Sequence, residues 1–178
     1  MKKVLIISAS PRKHGNSDLL CDRFAEGARE NGNDVEKVFL ADKNIAYCHG
    51  CGVCNTSHKC VQKDDMAEML DKMANAEVIV FATPVYFYSM DGQMKTFIDR
   101  TVPRYTEFVN KDFYFILTAA DTEKANLNRT METFRGFTED CLEGAKEAGI
   151  IYGTGAWQIG EIKNTPAYDE AYEMGRRV

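Results

Sequence analysis

The 178-residue chain is 44% hydrophobic and carries a net charge of −5, its lysines and arginines scattered rather than clustered. That length suits one domain with a continuous core, and that charge pattern argues against nucleic acid or an acidic membrane surface as the main partner. No run of about 18 apolar residues occurs, and MKKVLIISAS leads into Pro11 and charged residues rather than a small-residue cleavage site, so the expectation is a cytoplasmic protein. In that reducing compartment six cysteines are poor candidates for disulfide scaffolding, and a tight group of four points to metal binding or redox work.

The first predicted element is a strand over Lys2–Ser8, whose continuous VLII run suits a strand covered on both faces. A loop, Ser8-Ala9-Ser10-Pro11-Arg12-Lys13-His14-Gly15-Asn16-Ser17, joins it to a helix predicted over Asn16–Asn31, with Asn31-Gly32 as its C-cap. Backbone amides and the positive helix end then face any anion bound there. Hydroxyls of Ser10 and Ser17, the Asn16 amide and the Arg12 guanidinium can complete a phosphate cup, with His14 on its surface. The loop lacks G-x-G-x-x-G and the G-K-[ST] ending, so a monophosphate fits better than a dinucleotide or a nucleoside triphosphate. The plainer alternative is a helix cap with a solvated arginine.

A weaker strand follows over Val35–Leu40, and then an unusually long connection from about Ala41 to Lys63. It holds Cys48, Cys51, Cys54 and Cys60 at the spacing C-x2-C-x2-C-x5-C, with Gly50 and Gly52 permitting a tight path. A [4Fe-4S] cluster, zinc with His49 and His58 as further candidate ligands, or no metal at all are the three readings of that spacing.

Asp64 is the expected N-cap of a helix over Asp64–Ala74, and Glu77–Thr83 (EVIVFAT) is a second strong strand. The loop after it, Pro84-Val85-Tyr86-Phe87-Tyr88-Ser89, precedes a helix over Asp91–Arg100. Its amides can reach the polar edge of a flat ring and its aromatics can border the ring's face, although packing in the core is the alternative for some of them.

A fourth strand is predicted over Asp112–Ala119, ending in Thr118-Ala119-Ala120-Asp121, where small residues allow close backbone approach. A helix over Asn126–Ala148 with Gly149 as its C-cap, a fifth strand over Ile150–Trp157 and a last helix over Ala167–Arg177 complete the chain. Cys21 and Cys141 fall within predicted helices as buried small residues, and Arg129, Glu132, Arg135 and Glu139 read as a solvated helix face. Gly153–Trp157 is loop-like at its end and has no assigned role.

Five strands alternating with five helices imply an α/β three-layer sandwich, a single domain over 1–178 with a cysteine-rich insertion at about 41–63. Two stretches give a specific resemblance. S-A-S-P-R-K-H-G-N-S is similar to the S-P-R-x-x-G-N-[ST] phosphate loop of the flavodoxin-like NAD(P)H-dependent FMN reductases. P-V-Y-F-Y-S-M-D-G-Q-M-K-T-F-I-D-R resembles that family's second signature, with Asp91 where Ser or Thr is usual and with Lys95, Asp99 and Arg100 matching as helix- and fold-stabilising residues.

The resemblance implies a parallel five-stranded sheet of order 2-1-3-4-5, with ligand at the switch point between the first and third strands. It implies noncovalent FMN held by Ser10, Arg12, His14, Asn16, Ser17, Pro84, Val85, Tyr86, Phe87, Tyr88, Ser89, Ala119, Ala120 and Asp121. NADH or NADPH would be the electron donor, an unidentified small molecule or protein the acceptor, and the flavin itself would carry the chemistry, so no catalytic side chain is named. A homodimer or higher homo-oligomer is the expected assembly. Cys48, Cys51, Cys54 and Cys60 resemble the ligand set of the iron-sulfur flavoproteins, a branch of the same family with a [4Fe-4S] cluster. The rival functions are a flavin electron carrier without a substrate of its own, and a nonenzymatic phosphate-ligand or metal-binding module.

Overall fold

A computed structural model describes residues 1–178. In chain order the elements are β1 (Lys3–Ser8), α1 (Asn16–Glu30), β2 (Asp34–Phe39), α2 (Cys54–Ser57), α3 (Met66–Asn75), β3 (Val78–Tyr86), β4 (Ser89–Met90), α4 (Gly92–Asp99), β5 (Asp112–Thr118), α5 (Asn128–Cys141), β6 (Lys146–Gly153) and α6 (Pro166–Gly175). The parallel sheet runs β2-β1-β3-β5-β6, which is the expected 2-1-3-4-5 order, and two-residue β4 folds back antiparallel on β3. The fold is flavodoxin-like. No helix is long and apolar enough to cross a membrane.

The period-2 alternation of a strand sends successive side chains to opposite faces, so each central strand feeds two cores. Leu5, Ile7, Ile79, Phe81, Phe113 and Phe115 pack beneath α3, α4 and α5, where Phe81 stacks on Phe134 and Phe137. Val4, Ile6, Val78, Val80, Tyr114 and Ile116 pack beneath α1 and α6. These helices lie so close that a Cβ on Gly27 would strike the Tyr172 carbonyl and one on Gly175 the Phe24 carbonyl.

The last third departs from expectation. The helix expected to reach Ala148 stops at Cys141, Gly144 turns the chain at φ +69°, and Lys146–Gly149 already pairs with β5. Those residues open an edge strand that is largely exposed, so K-E-A carries no apolar alternation and reads as helix. Gly149 is therefore no helix cap. It sits at a register irregularity of β6, where a Cβ would stand 2.7 Å from Met174 Sδ. Cys141, at the end of α5, is exposed rather than buried. Cys21 is buried as expected.

Candidate functional site

The carboxyl ends of β1, β3 and β5 lie side by side, Ser8 paired with Ala82 and Pro84 with Thr118. The segments leaving them enclose a cavity of about 300 Å³.

Its floor is the β1–α1 loop. Gly15 caps α1 without a side-chain hydrogen bond, leaving the first-turn amides open to an anion. Arg12 N–H donates to Ser10 Oγ at 3.1 Å, and Gly15 N–H to the Arg12 carbonyl at 3.0 Å. From below, the buried Asp18 carboxylate accepts the Ser8 hydroxyl at 3.2 Å and the His14 amide at 3.0 Å, with Lys37 Nζ at 2.9 Å. The loop is thereby set before any ligand arrives.

One wall is the β3–β4 hairpin. Tyr86 pairs with Ser89, and the two residues between them, Phe87 and Tyr88, have φ of +49° and +62°. Such a turn ordinarily takes Asn-Gly, because bulky residues are strained at positive φ. Phe87 is fully exposed, with Tyr86 and Tyr88 about half so, which answers the packing alternative: none of the three is core. Arg129, expected on a solvated face, lies over the Tyr88 ring at 5.5 Å.

Behind the hairpin, Asp91 caps α4 by accepting the Met94 N–H at 3.0 Å, and its Oδ1 lies 3.2 Å from the Thr83 hydroxyl. Asp91 is completely buried and its Oδ2 has no partner. Burial pushes this carboxyl up to about 6, against the opposing bonds from Met94 and Thr83.

The remaining wall comes from Thr118 to Asp121 and from the 156–159 stretch, with Ala156, Trp157 and Ile159 lining the cavity. Ser17 Oγ lies 2.6 Å from Thr118 Oγ1. Asn16 Nδ2 donates to the Gln158 carbonyl at 3.0 Å, while its Oδ1 accepts from Gly160 N–H at 3.1 Å. These two side chains line the cavity, but their polar atoms are spent on tying its walls together rather than left free for a phosphate. Asp121 turns its carboxylate to Glu123 N–H and Asn126, which hold it below the usual carboxylate range.

Of the fourteen residues expected here, Ser10, Arg12, Asn16, Ser17, Pro84, Val85, Tyr86, Phe87, Tyr88, Ala119, Ala120 and Asp121 line the cavity, while His14 and Ser89 do not. The His14 amide points down to Asp18, and Ser89 is taken up by the β3 pairing. Gly15, Thr118, Leu127, Ala156, Trp157 and Ile159 also line it without having been predicted. No local sequence signal marked the last wall, which Asn16 joins from 142 residues away.

The four cysteines meet elsewhere. Cys48, Cys51, Cys54 and Cys60 line a second cavity of about 210 Å³, closed on its far side by Arg100, Val102 and Pro103. Gly50 and Gly52 take φ of +64° and +73°, and Gly50 N–H points at Cys48 Sγ at 3.5 Å. No three of the sulfurs lie within 4.8 Å of one another. Tetrahedral zinc, at about 2.3 Å from each thiolate, would hold every pair about 3.8 Å apart, so binding it would draw the thiolates together.

Arg100 is a fold-stabilising residue, as expected, but it acts across the fold rather than within its own helix. Lys95 and Asp99 do pair along α4 as expected, but Arg100 turns inward to the cysteine loop. Its Nη1 donates to the Ala46 carbonyl at 2.6 Å and to Asp64 at 2.7 Å, and its Nη2 to Asp64 at 2.9 Å and to Cys60 Sγ at 3.5 Å. Asp64 also accepts the Met66 amide at 3.2 Å, but the N-cap of α3 is Asp65, one residue later than expected, and it makes no side-chain capping bond. Burial pushes the Asp64 carboxyl up, but the Arg100, Met66 and Ala46 hydrogen bonds outweigh that and hold it low.

The family model of the NADPH-dependent FMN reductases matches residues 2–134. The chain belongs to this family. An iron-sulfur flavoprotein of Archaeoglobus fulgidus is 42% identical over 101 residues, 57% of this chain and 46% of that protein. An iron-sulfur flavoprotein of Methanosarcina thermophila is 38% identical over 100 residues, 56% and 52% of the two chains. The chain thus spans about half the length of the curated relatives it matches. Its fold is that of the NAD(P)H:quinone oxidoreductase from Methanothermobacter marburgensis, with a TM-score of 0.75 at 17% identity over 99% of this chain and 96% of that one.

Proposed function

We propose that this reductase-family chain binds FMN in the strand-end cavity, takes electrons from NADH or NADPH, and passes them to an acceptor by way of a [4Fe-4S] cluster on the cysteine loop. The observation that carries the reading is the cavity itself. Open first-turn amides and Arg12 stand at one end of it and the aromatic hairpin along its side, which is the division a phosphate-bearing, flat-ringed cofactor requires. When bound, FMN supplies hydride acceptance from the nicotinamide and release of electrons to the acceptor.

The chain's own residues do the rest. The α1 terminus and Arg12 hold the phosphate, charge-assisted hydrogen bonds to a dianion being about twice as strong as neutral ones. Backbone amides of the hairpin and of Ala119–Asp121 fix the ring edge, and Tyr86 and Tyr88 shield its face from water. No side chain in the cavity needs to move a proton. The fully exposed Phe87, beside exposed Tyr86, Tyr88, Trp157 and Ile159, supports a homodimer whose second subunit covers the cavity mouth.

For the cluster, four thiolates around one cavity and glycines that turn a backbone amide onto sulfur fit a cubane. A bound cluster supplies one-electron capacity.

The test is anaerobic purification followed by the absorption spectrum, iron and acid-labile sulfide. Flavin bands with about four irons per chain and fast bleaching by NADH or NADPH are expected. A colourless protein that takes up neither FMN nor iron overturns the reading. Bleaching by a reduced ferredoxin alone would make the chain a flavin electron carrier.

A further inference from the structure

The side chain that closes the cysteine cavity is a permanent cation that is almost wholly buried, Arg100 being 1% exposed. Burying a guanidinium is unfavourable unless it is paired and hydrogen-bonded. Asp64 meets the first need with a bidentate fork. The fork leaves one Nη2 hydrogen directed to Cys60 Sγ at 3.5 Å, while Nε, also buried, has no partner at all. Beyond the carboxylate and the Ala46 carbonyl, this arginine keeps a donor on the sulfur of one of the four loop cysteines.

We propose that Arg100, oriented by Asp64, is the positioning residue that sets the reduction potential of the cysteine-loop centre through Cys60. The inference rests on the cluster reading above. Reduction adds one electron, and hence one negative charge, to a centre whose ligands are already thiolates. A fixed positive charge and a hydrogen bond on one of those sulfurs stabilise the more negative state, so Arg100 raises the potential. Asp64 opposes it. Its carboxylate both aims the guanidinium and neutralises part of its charge, so the two residues act on the potential with opposite sign.

That opposition separates tuning from scaffolding. A role limited to holding the loop would make Arg100→Gln and Asp64→Asn act alike, by loosening the same contact. The proposal requires them to diverge. After anaerobic reconstitution with iron and sulfide, potentiometric titration with dithionite should show R100Q shifted to more negative potential and D64N to more positive potential, both at wild-type iron content. Because each single change strands a buried charge, the double variant D64N/R100Q provides a neutral pair that folds where the singles do not. Replacing a whole buried ion pair is often close to neutral in stability. Its potential should be more negative than wild type, since the donor to Cys60 is gone.

Iron-loaded variants whose potentials are unchanged, or singles that both move the same way, overturn the proposal while leaving the cluster reading intact. A wild-type chain that binds no iron overturns that reading and this inference together.

Discussion

The cavity at the strand ends is walled by four separate segments, three of which hydrogen-bond one another, through Ser17 on Thr118, Asn16 on Gln158 and Ala156 on Ala119. The cysteine cavity is walled by one exposed loop and by the short stretch after α4, and Arg100 is the clasp between them. The first site is preorganised by the fold. The second is an appendage to the fold, tied to it at Ala46, Asp64 and Cys60. Helix α4 links them: Asp91 at its start lies behind the aromatic hairpin, and Arg100 at its end reaches the cysteines. Its eight residues span about 12 Å.

The largest effect tests whether the two sites are separable. Cys51→Ala removes an exposed member of the proposed ligand set, so iron and sulfide are expected to fall to background while one FMN per chain is retained. Loss of flavin together with iron would show instead that the loop shapes the first cavity. Retention of full iron would remove Cys51 from the ligand set.

The same contrast explains what could be read in advance. Buried strands such as VLII and EVIVF announce themselves because both faces are apolar, and the sheet order and switch point follow from them. Twelve of the fourteen residues expected at the strand ends line that cavity because they are local to two loops whose neighbours the topology dictates. The wall from Ala156 to Ile159 was illegible because Asn16 reaches it across a separation of 142 residues in sequence. The partner of Arg100 was illegible for the same reason, because only the folded chain brings it to Asp64, 36 residues away. The β6 start failed on composition, since an exposed edge strand carries no pattern to detect.

The next effect is on stability and probes the helix that joins the sites. Burial moves the Asp91 carboxyl from its ordinary 3.8 to about 6. Between those values the folded chain holds a proton that the unfolded chain releases. Stability is therefore fully present below about pH 4 and is lost as the pH rises through about 6. The displacement corresponds to about 3 kcal/mol. Asp91→Asn keeps an acceptor for the Met94 amide and removes the charge. Urea midpoints should then lose this contribution to the pH 4–7 decline, leaving the variant more stable than wild type at pH 7. A decline of the same size in both proteins would assign it to other groups.

A smaller effect concerns the strained tip of the hairpin. Two aromatics at positive φ cost about 1 kcal/mol or more each, so the double change Phe87→Asn with Tyr88→Gly should stabilise the chain by about 2 kcal/mol in urea unfolding. It should also weaken flavin binding and self-association, because the strain keeps those rings at the cavity mouth. Stabilisation with unchanged flavin affinity and unchanged sedimentation would show that the aromatics serve neither.

The smallest effect is the most local. A Cβ on Gly15 would stand 2.8 Å from the Arg12 carbonyl and 3.1 Å from Ser10 Oγ, so Gly15→Ala pushes on the turn that aims the phosphate donors. Gly15 has φ of −68°, which any residue adopts, so no backbone strain is added and the effect is steric. Flavin affinity measured by fluorescence quenching should fall about tenfold, about 1.4 kcal/mol, with iron content untouched. Combined with Cys51→Ala, the loss in flavin affinity should be that of Gly15→Ala alone, because sites without shared contacts contribute additively. An added loss in the double variant would mean that α4 transmits between its two ends, and the two cavities would then have to be treated as one site.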